Sequence, residues 1–186
     1  MGAKHIYITL FLVFTSIISY SQNDISKNSW FVSLDFGVQM SGIKSEDFIS
    51  SNYSPVYKLM FGKWINSIVG IQAGYQGNYF NAIADNDKHF YNFYFVEGLL
   101  DVKNILRSNV NQNRFYELMF HGGFGYFQNQ YYGNSTFHGI LGASNYFSIS
   151  ERSKIKFDIG AIVGWDIYQG DEDILPNISL GIVYSL

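Results

Sequence analysis

The sequence predicts an all-β fold: an eight-stranded antiparallel transmembrane β-barrel. Three observations support it, namely regular alternation of apolar and polar residues, glycine on the polar side of that alternation, and a low content of charge. Of the 186 residues, 47% are hydrophobic and 15% are charged, whereas a soluble domain usually has about 25% charged residues. So few charges leave too little polar surface to cover an exterior in water.

The clearest strand lies in KIKFDIGAIVGWDIYQG, residues 154 to 170. The odd positions from Ile155 to Ile167 are apolar, and the even positions are lysine, aspartate or glycine, except for Ile162. Successive side chains of a strand point to opposite faces, so this segment has one apolar and one polar face. A soluble barrel would bury the apolar face, whereas a membrane barrel would turn it to lipid.

Seven further segments complete the predicted barrel. Four of them alternate clearly, at residues 29–40, 67–80, 114–127 and 176–186, and three alternate less clearly, at residues 55–64, 90–102 and 136–149. Long polar connections are predicted at 41–54, 81–88, 128–135 and 168–176, and shorter ones around 65–67 and 149–153. The connection at 103–113 is an exception, because it is long where a short turn is expected.

The size of the barrel decides between the two faces. Eight strands enclose an interior that side chains just fill, and bulky rings from every strand would crowd it. Glycine and small polar residues fit that space better, so the apolar face is predicted to point outward. Because lipid cannot hydrogen-bond to the backbone, the sheet must close, which is the pattern of outer-membrane barrels.

Two sets of residues are candidates for a role in this barrel. Charges inside a bilayer are costly unless they are paired, so the inward polar residues are predicted to form a network that plugs the lumen: Asp35, Lys58, Glu97, Asp101, Glu117, His121, Lys156, Asp158 and Asp166. We expect Lys156 to lie near Asp158. We also expect Glu117 to reach Lys156 across the lumen. Aromatic residues near the strand ends are candidates for the girdles at the membrane surfaces: Trp30, Trp64, Tyr79, Tyr126, Trp165 and Tyr168.

The N-terminus has the features of a secretory signal peptide. Lys4 precedes an apolar run at residues 6–20, and Ser19-Tyr20-Ser21 is a small-x-small cleavage pattern. We expect cleavage after Ser21, with an uncleaved anchor as the alternative, so residues 1–21 are the signal peptide and 22–186 a single barrel domain. The sequence has no cysteine, which excludes disulfides and an acylated N-terminal cysteine.

Several stretches resemble the N-terminal barrel of OmpA-like outer-membrane proteins of Bacteroidetes. They are FGKWINSIVGIQAGYQG (61–77), LLDVKNIL (99–106), RFYELMFHGGFGYF (114–127), GASNYFSISERSKIKFDIGAIV (142–163) and LGIVYSL (180–186). The resemblance implies an integral protein of the bacterial outer membrane. The sequence departs from the family in two respects: it ends without the peptidoglycan-binding domain of full-length members, and its last residue is Leu186 where an aromatic residue is usual.

The sequence offers few residues for chemistry. The net charge of −3 gives no basic surface for nucleic acid, so we expect no nucleic-acid partner. The four histidines include no close pair of the kind that metal sites favour, and no nucleophile with a base and an orienting group is visible. We therefore expect no catalytic, cofactor-binding or metal-binding residues and no cofactor; a lipid-modifying barrel enzyme stays open as a less favoured alternative.

Two functional hypotheses follow. The first is a small non-enzymatic barrel with a plugged lumen, which has outer-membrane lipid as its partner and serves as a structural or accessory subunit of an outer-membrane complex. The second is binding or adhesion at the cell surface through loops, because rigid scaffolds commonly present binding residues on loops. The candidate loop at residues 41–54 contains Phe48 and Tyr53 as possible anchors. A small pore is the less favoured third alternative.

Overall fold

The computed structural model describes residues 29–41, 53–81, 87–106, 115–164, 167 and 174–186. The predicted signal peptide lies outside these ranges. Four of the candidate site residues also lie outside them: Phe48, Trp165, Asp166 and Tyr168.

The described residues form a closed antiparallel barrel of eight strands, in which each strand pairs with its neighbours in sequence. The predicted fold class is therefore confirmed. The strands are β1 (Trp30–Met40), β2 (Tyr53–Trp64), β3 (Val69–Asn81), β4 (Lys88–Asp101), β5 (Tyr116–Asn129), β6 (Asn134–Ser148), β7 (Ser153–Val163) and β8 (Ile174–Ser185).

The barrel closes between the first and last strands. β1 pairs with β8 from Phe31 opposite Ser185 to Gln39 opposite Asn177, so neither strand has an open edge along this stretch. We call the end near Ser29 and Leu186 the lower end and the end near Met40 the upper end. Antiparallel pairing then places the β2–β3 and β6–β7 turns at the lower end, and the β5–β6 turn at the upper end.

Two sequence-based boundaries are wrong. The predicted long connection at 128–135 is a tight turn, because β5 continues to Asn129 and β6 begins at Asn134. Gly133 has a φ of 66° in this turn, a conformation that glycine adopts without the steric cost of a Cβ atom. β7 ends at Val163, whereas the alternation of apolar and polar residues in the sequence continues to Ile167.

The connection after β4 begins with a short helix, α1 (Val102–Leu106), at the lower end. Asp101 is its N-cap: Oδ1 of Asp101 accepts a hydrogen bond from the backbone N–H of Asn104 at 3.0 Å, which satisfies a donor that the first turn leaves unpaired. The side chain of Asn104 also donates to the carbonyl of Ser67, and so ties the helix to the β2–β3 turn. Among the residues that the structure describes, no helix is long and apolar enough to cross a membrane.

Candidate functional site

The centre of the lumen contains six ionisable side chains, which we call the charged belt: Asp35, Lys58, Glu97, His121, Lys156 and Asp158. All six are buried. They come from β1, β2, β4, β5 and β7, so the belt extends across the interior rather than along one strand.

Asp158 is the hub of the belt. Lys58 Nζ donates to its Oδ2 at 2.6 Å from the opposite side of the lumen. Lys156 Nζ lies 3.8 Å from its Oδ1 and only 2.9 Å from Oδ2 of Asp35. The expected proximity of Lys156 and Asp158 is present, but the shorter contact of Lys156 is with Asp35, two strands away across β8.

His121 lies between two carboxylates. Its Nδ1 is 2.7 Å from Glu97 Oε2 and its Nε2 is 3.0 Å from Asp158 Oδ1. A carboxylate oxygen only accepts hydrogen bonds, so an imidazole in this position donates from both nitrogens, as the imidazolium form does. With His121 protonated, three cations balance three carboxylates, and the charges of the belt sum to zero.

Two glycines give the belt residues the space to reach each other. A Cβ atom at Gly142 in β6 would lie 2.6 Å from the ring of His121, so His121 crosses over β6 at this point to reach Asp158 in β7. A Cβ atom at Gly181 in β8 would collide with the carboxylate of Asp35. That carboxylate can therefore lean over β8 toward Lys156.

Neutral side chains complete the hydrogen bonding of the belt carboxylates. Ser33 donates to Asp35 at 2.6 Å, Gln72 donates to Glu97, and Ser144 donates to Asp158. Ser144 and His121 both bind Asp158 on the same oxygen. The serine donates its proton to a carboxylate rather than to the histidine, which is not the arrangement of an activated nucleophile.

An apolar cluster seals the lumen below the belt. This lower apolar layer consists of Phe31, Trp64, Leu99, Met119, Tyr146 and Val183. The prediction that Trp64 belongs to an outward girdle is wrong. Trp64 is only 7% exposed, and its ring lies 6.2 Å from that of Phe31 in the lower apolar layer. Trp64 is an even-numbered residue of β2, like the inward-facing Lys58 and Met60, so its strand parity points it into the barrel.

A second apolar cluster lies above the belt, apart from its member Met60, whose sulfur is 3.7 Å from Lys156 Nζ at the level of the belt. This upper apolar layer consists of Met60, Phe80, Tyr91, Phe93, Phe95, Phe127, Ile140, Ile162, Ile167 and Leu175. Ile140 and Ile162, which break the alternation of their segments, are therefore inward residues that belong to this layer. Within it, the rings of Tyr91 and Phe127 stack at 4.9 Å.

The expectation that large rings are too crowded for the lumen is wrong. The inward face of β4 alone contributes Tyr91, Phe93 and Phe95. Inward glycines of neighbouring strands make room for them: a Cβ atom at Gly125 would lie 2.7 Å from the ring of Phe93, and one at Gly74 would lie 2.5 Å from that of Phe95.

Two carboxylates predicted for the lumen network lie apart from the belt. Asp101 is buried at the lower end, where it caps α1. Glu117 accepts a hydrogen bond from Lys154 at 2.7 Å, so the expected contact between Glu117 and Lys156 is wrong. Lys154 has the same parity as Lys156 but is nearer the lower end of β7. At that level it pairs with Glu117 rather than with a residue of the belt.

The outer surface has aromatic residues near both ends. At the lower end, Trp30 stacks on Phe61 at 4.9 Å, and Lys63 Nζ lies 5.1 Å from the Trp30 ring. At the upper end, Lys88 Nζ lies 4.7 Å from the ring of Tyr79. Tyr126 is exposed in β5 and pairs across the sheet with Tyr94 and Phe137.

Tyr75 and Tyr94 were not among the predicted girdle residues, although their outward parity in β3 and β4 would have identified them. Tyr53, the described member of the candidate loop pair, is half exposed at the start of β2. Between the two ends, the outward positions are mainly apolar and exposed, for example Phe36, Phe124 and Leu180.

Solved outer-membrane barrels share this fold. The N-terminal β-barrel domain of Pseudomonas aeruginosa OprF aligns with a TM-score of 0.57 at 10% identity, covering 86% of this chain and 98% of that domain. Neisserial surface protein A (NspA) aligns with a TM-score of 0.59 at 9% identity, covering 84% of this chain and 97% of that protein. The outer-membrane protein OprG from Pseudomonas aeruginosa aligns with a TM-score of 0.51 at 8% identity, covering 86% and 97% of the two chains.

No protein-family model matches the sequence, and no curated protein matches it either. The similarity to the solved outer-membrane barrels therefore shows the fold alone.

Proposed function

We propose that this protein is an integral, non-enzymatic protein of the bacterial outer membrane, made with a cleaved signal peptide. In this proposal it is a structural or accessory subunit whose lumen is plugged. The observation that carries the proposal is the filled interior, in which a charge-balanced belt lies between two apolar layers.

The exterior supports the membrane location. Exposed Leu34, Phe36, Ile178 and Leu180 cover the wall between the lower and upper aromatic residues, and a closed sheet leaves no strand edge unpaired in lipid. A contiguous apolar surface of this kind would cause aggregation in water. Lipid is the solvent that such a surface fits.

The interior supports a role without transport. An ion that entered from either end would have to pass an apolar layer and then displace a paired charge of the belt. Breaking a buried ion pair leaves an uncompensated charge at a cost of several kcal/mol. The belt also offers no serine–histidine pair for acyl transfer, which favours a structural role over a lipid-modifying one.

The apolar wall supports the accessory part of the proposal, since outer-membrane lipid and a neighbouring outer-membrane protein would contact it in the same way. Surface binding through the 41–54 loop remains the second candidate function, favoured by the exposed ring of Tyr53. The assignment to a Bacteroidetes type of barrel also remains a prediction from sequence.

Fractionation and single-channel recording test this function together. We expect the protein in the outer-membrane fraction without its first 21 residues, with an electrophoretic mobility that changes on heating. In planar bilayers we expect a conductance near zero.

Two results would contradict the proposal. A protein that stays soluble without detergent would exclude the membrane barrel. Steady ion channels would exclude the plug, because they require a water-filled path through the lumen. A mild-detergent pull-down tests the accessory role: co-purification of an outer-membrane protein that survives deletion of residues 42–50 supports contact through the wall, and loss on deletion supports the loop.

A further inference from the structure

One part of the outer wall differs in chemistry from the rest. Tyr57, Tyr75, Asn92 and Tyr94, which we call the tyrosine sector, lie on the outward face of three adjacent strands, β2, β3 and β4. The rings of Tyr57 and Tyr75 are 5.8 Å apart, and those of Tyr75 and Tyr94 are 5.3 Å apart. The sector is therefore a continuous aromatic surface.

Hydrogen bonds join the polar groups of this surface. The hydroxyls of Tyr57 and Tyr75 lie 3.4 Å apart, and the Tyr75 hydroxyl donates to Oδ1 of Asn92 at 2.8 Å. A Cβ atom at Gly77 would collide with the Tyr75 hydroxyl, so this glycine allows the phenol to lie along the wall toward Asn92. The result is a row of two hydroxyls and an amide on a mainly apolar wall.

The tyrosine sector lies in the upper part of the wall. On β5, Tyr116 near the lower end and Tyr126 near the upper end are ten residues apart, which corresponds to about 25 Å along the axis of a tilted barrel, the usual height of the lipid-facing band. Tyr94 pairs directly with Tyr126. The hydroxyls and Asn92 are therefore near the upper membrane surface, where amphipathic rings place their polar tips.

Two strands on the opposite side of the barrel, β7 and β8, have no such groups. Among the described outward positions of β7 and β8 above Ser153 and Tyr184, the side chains are apolar, and Phe157 alone has an aromatic ring. A girdle that only marks the membrane surface would be expected around the whole circumference, whereas this hydrogen-bonded cluster occupies one sector.

We propose that the tyrosine sector binds the headgroup of an anionic glycolipid in the outer leaflet, with the upper end, where the longer connections lie, as the extracellular end. This inference rests on the proposed membrane location. Sugar hydroxyls find donors and acceptors in the tyrosine hydroxyls and the Asn92 amide, and the apolar faces of a sugar pack on the phenol rings. Lys88, held over the Tyr79 ring above Asn92, supplies the cation for a phosphate group.

The arrangement favours a lipid over a protein partner. The polar groups lie at the upper boundary of the apolar band, which is the depth of a lipid headgroup, and apolar residues such as Val96 and Phe61 lie below them. One lipid molecule would contact both kinds of surface, with its acyl chains on the apolar wall and its headgroup on the row of polar groups.

The test measures lipid binding by native mass spectrometry of the purified barrel in detergent. The probes are lipid A, which has sugar and phosphate, and phosphatidylglycerol, which has negative charge but no sugar. We expect the wild type to bind lipid A more tightly than phosphatidylglycerol. Tyr75→Phe, which removes one hydroxyl and keeps the ring, should lower lipid A affinity about fivefold, as expected for the loss of one hydrogen bond.

The chain contains a matched control at its lower end, where the Tyr116 hydroxyl donates to Oδ1 of Asn145. Tyr116→Phe removes the same kind of bond and should leave lipid A affinity unchanged. Lys88→Gln should weaken lipid A binding and reduce its dependence on salt, because it removes the cation that meets the phosphate.

Several results would overturn the inference. One is equal binding of lipid A and phosphatidylglycerol by the wild type, and another is an equal loss in Tyr75→Phe and Tyr116→Phe. A protein that co-purifies with the wild type and is lost in Tyr75→Phe, with lipid binding intact, would assign the sector to a protein partner instead. Heat-dependent mobility of each variant shows whether the barrel is folded, so a failure here is distinct from a failure of the proposed membrane fold.

Discussion

The middle and the two ends of the lumen are built from the same inward strand positions, yet they fill the space with different chemistry. In the middle, Asp158 joins Lys58 and His121 through contacts of 2.6 and 3.0 Å. At the two ends, rings and aliphatic side chains such as Phe93 and Leu99 pack without charge. On one strand, β4, the inward face passes from Phe93 to Glu97 and then to Leu99 within seven residues.

This difference suggests a division of labour. Apolar side chains fill a volume in many arrangements that differ little in energy, so they seal the ends without selecting one strand register. The energy of a buried ion pair depends strongly on the positions of both partners, because displacing one partner leaves the other charge unpaired. We infer that the apolar layers close the lumen and that the belt selects the register in which the strands pair.

The largest expected effect comes from removing the hub of the belt. Asp158→Ala leaves Lys58 and His121 without their shared carboxylate, and we expect the free energy of unfolding to fall by about 4 kcal/mol, as when one partner of a buried ion pair is lost. Urea unfolding in lipid vesicles measures it. As a control, Asp101→Ala removes a buried carboxylate that caps α1 and should cost only about 1 kcal/mol. Equal losses in the two variants would mean that the belt is no more than a set of buried polar groups.

Lys156 tests the belt from its positive side. Lys156→Met removes the partner of Asp35 and should lower the unfolding free energy by about 3 kcal/mol. Lys154→Met, two residues away on the same face, breaks the pair with Glu117 near the lower end and should cost less than Lys156→Met, because the Lys154 side chain is partly exposed. The same urea titration compares them, and conductance should stay near zero in both. An unchanged stability of Lys156→Met would show that this lysine is hydrated.

The apolar layers are tested by two isoleucines on one strand. Ile162 points into the upper apolar layer, and Ile159 is exposed on the outer wall. Both alanine variants lose the transfer energy of three carbons, but only Ile162→Ala leaves a cavity, since lipid chains fill the gap outside. We expect Ile162→Ala to cost about 1 to 2 kcal/mol more than Ile159→Ala. A larger loss at Ile159 would reverse the assignment of inward and outward faces on β7.

The smallest expected effect is a gain in stability. Asn177 is buried, and neither its Oδ1 nor its Nδ2 has a hydrogen-bond partner among the described residues. Replacing such a group with an apolar side chain should raise the unfolding free energy, by about 1 kcal/mol for Asn177→Leu. Its cross-strand partner Gln39 donates to the Tyr79 carbonyl and accepts from Tyr91, so Gln39→Leu should lower it. A loss in Asn177→Leu would show that the lumen provides this amide with a partner.

The sequence predicted the exterior better than the lumen. The alternation of Ile155 and Ile159 with Lys156 and Asp158 identified β7 and both of its faces, and similar patterns located the other strands. β4 was harder, because it is apolar on both parities. The expectation that large rings do not fit the lumen missed the inward rings of Phe93 and Phe95. It also missed the inward glycines Gly74 and Gly125, which accommodate these rings.

Within the candidate site, parity placed the charged residues on the inward face but did not determine their pairs. Trp64 shows that even the parity rule needs to be applied strictly: its position near a strand end suggested a girdle, whereas its even number in β2 placed it inside. Asp101 and Glu117 have the inward parity of the belt residues, but they lie nearer the lower end and meet Asn104 and Lys154 first.

The sequence itself determined the strand positions, their two faces and the need for closure. A strand repeats every two residues, and in lipid every backbone polar group must be paired within the protein. The tertiary structure alone decided which charges meet. Lys58 and Asp158 are a hundred residues apart in the chain, and they are brought together by the stagger and tilt of the closed barrel. Lys156 reaches Asp35 because Gly181 leaves space on the intervening strand. Such contacts depend on the register of several strands at once, which no local pattern of residues contains.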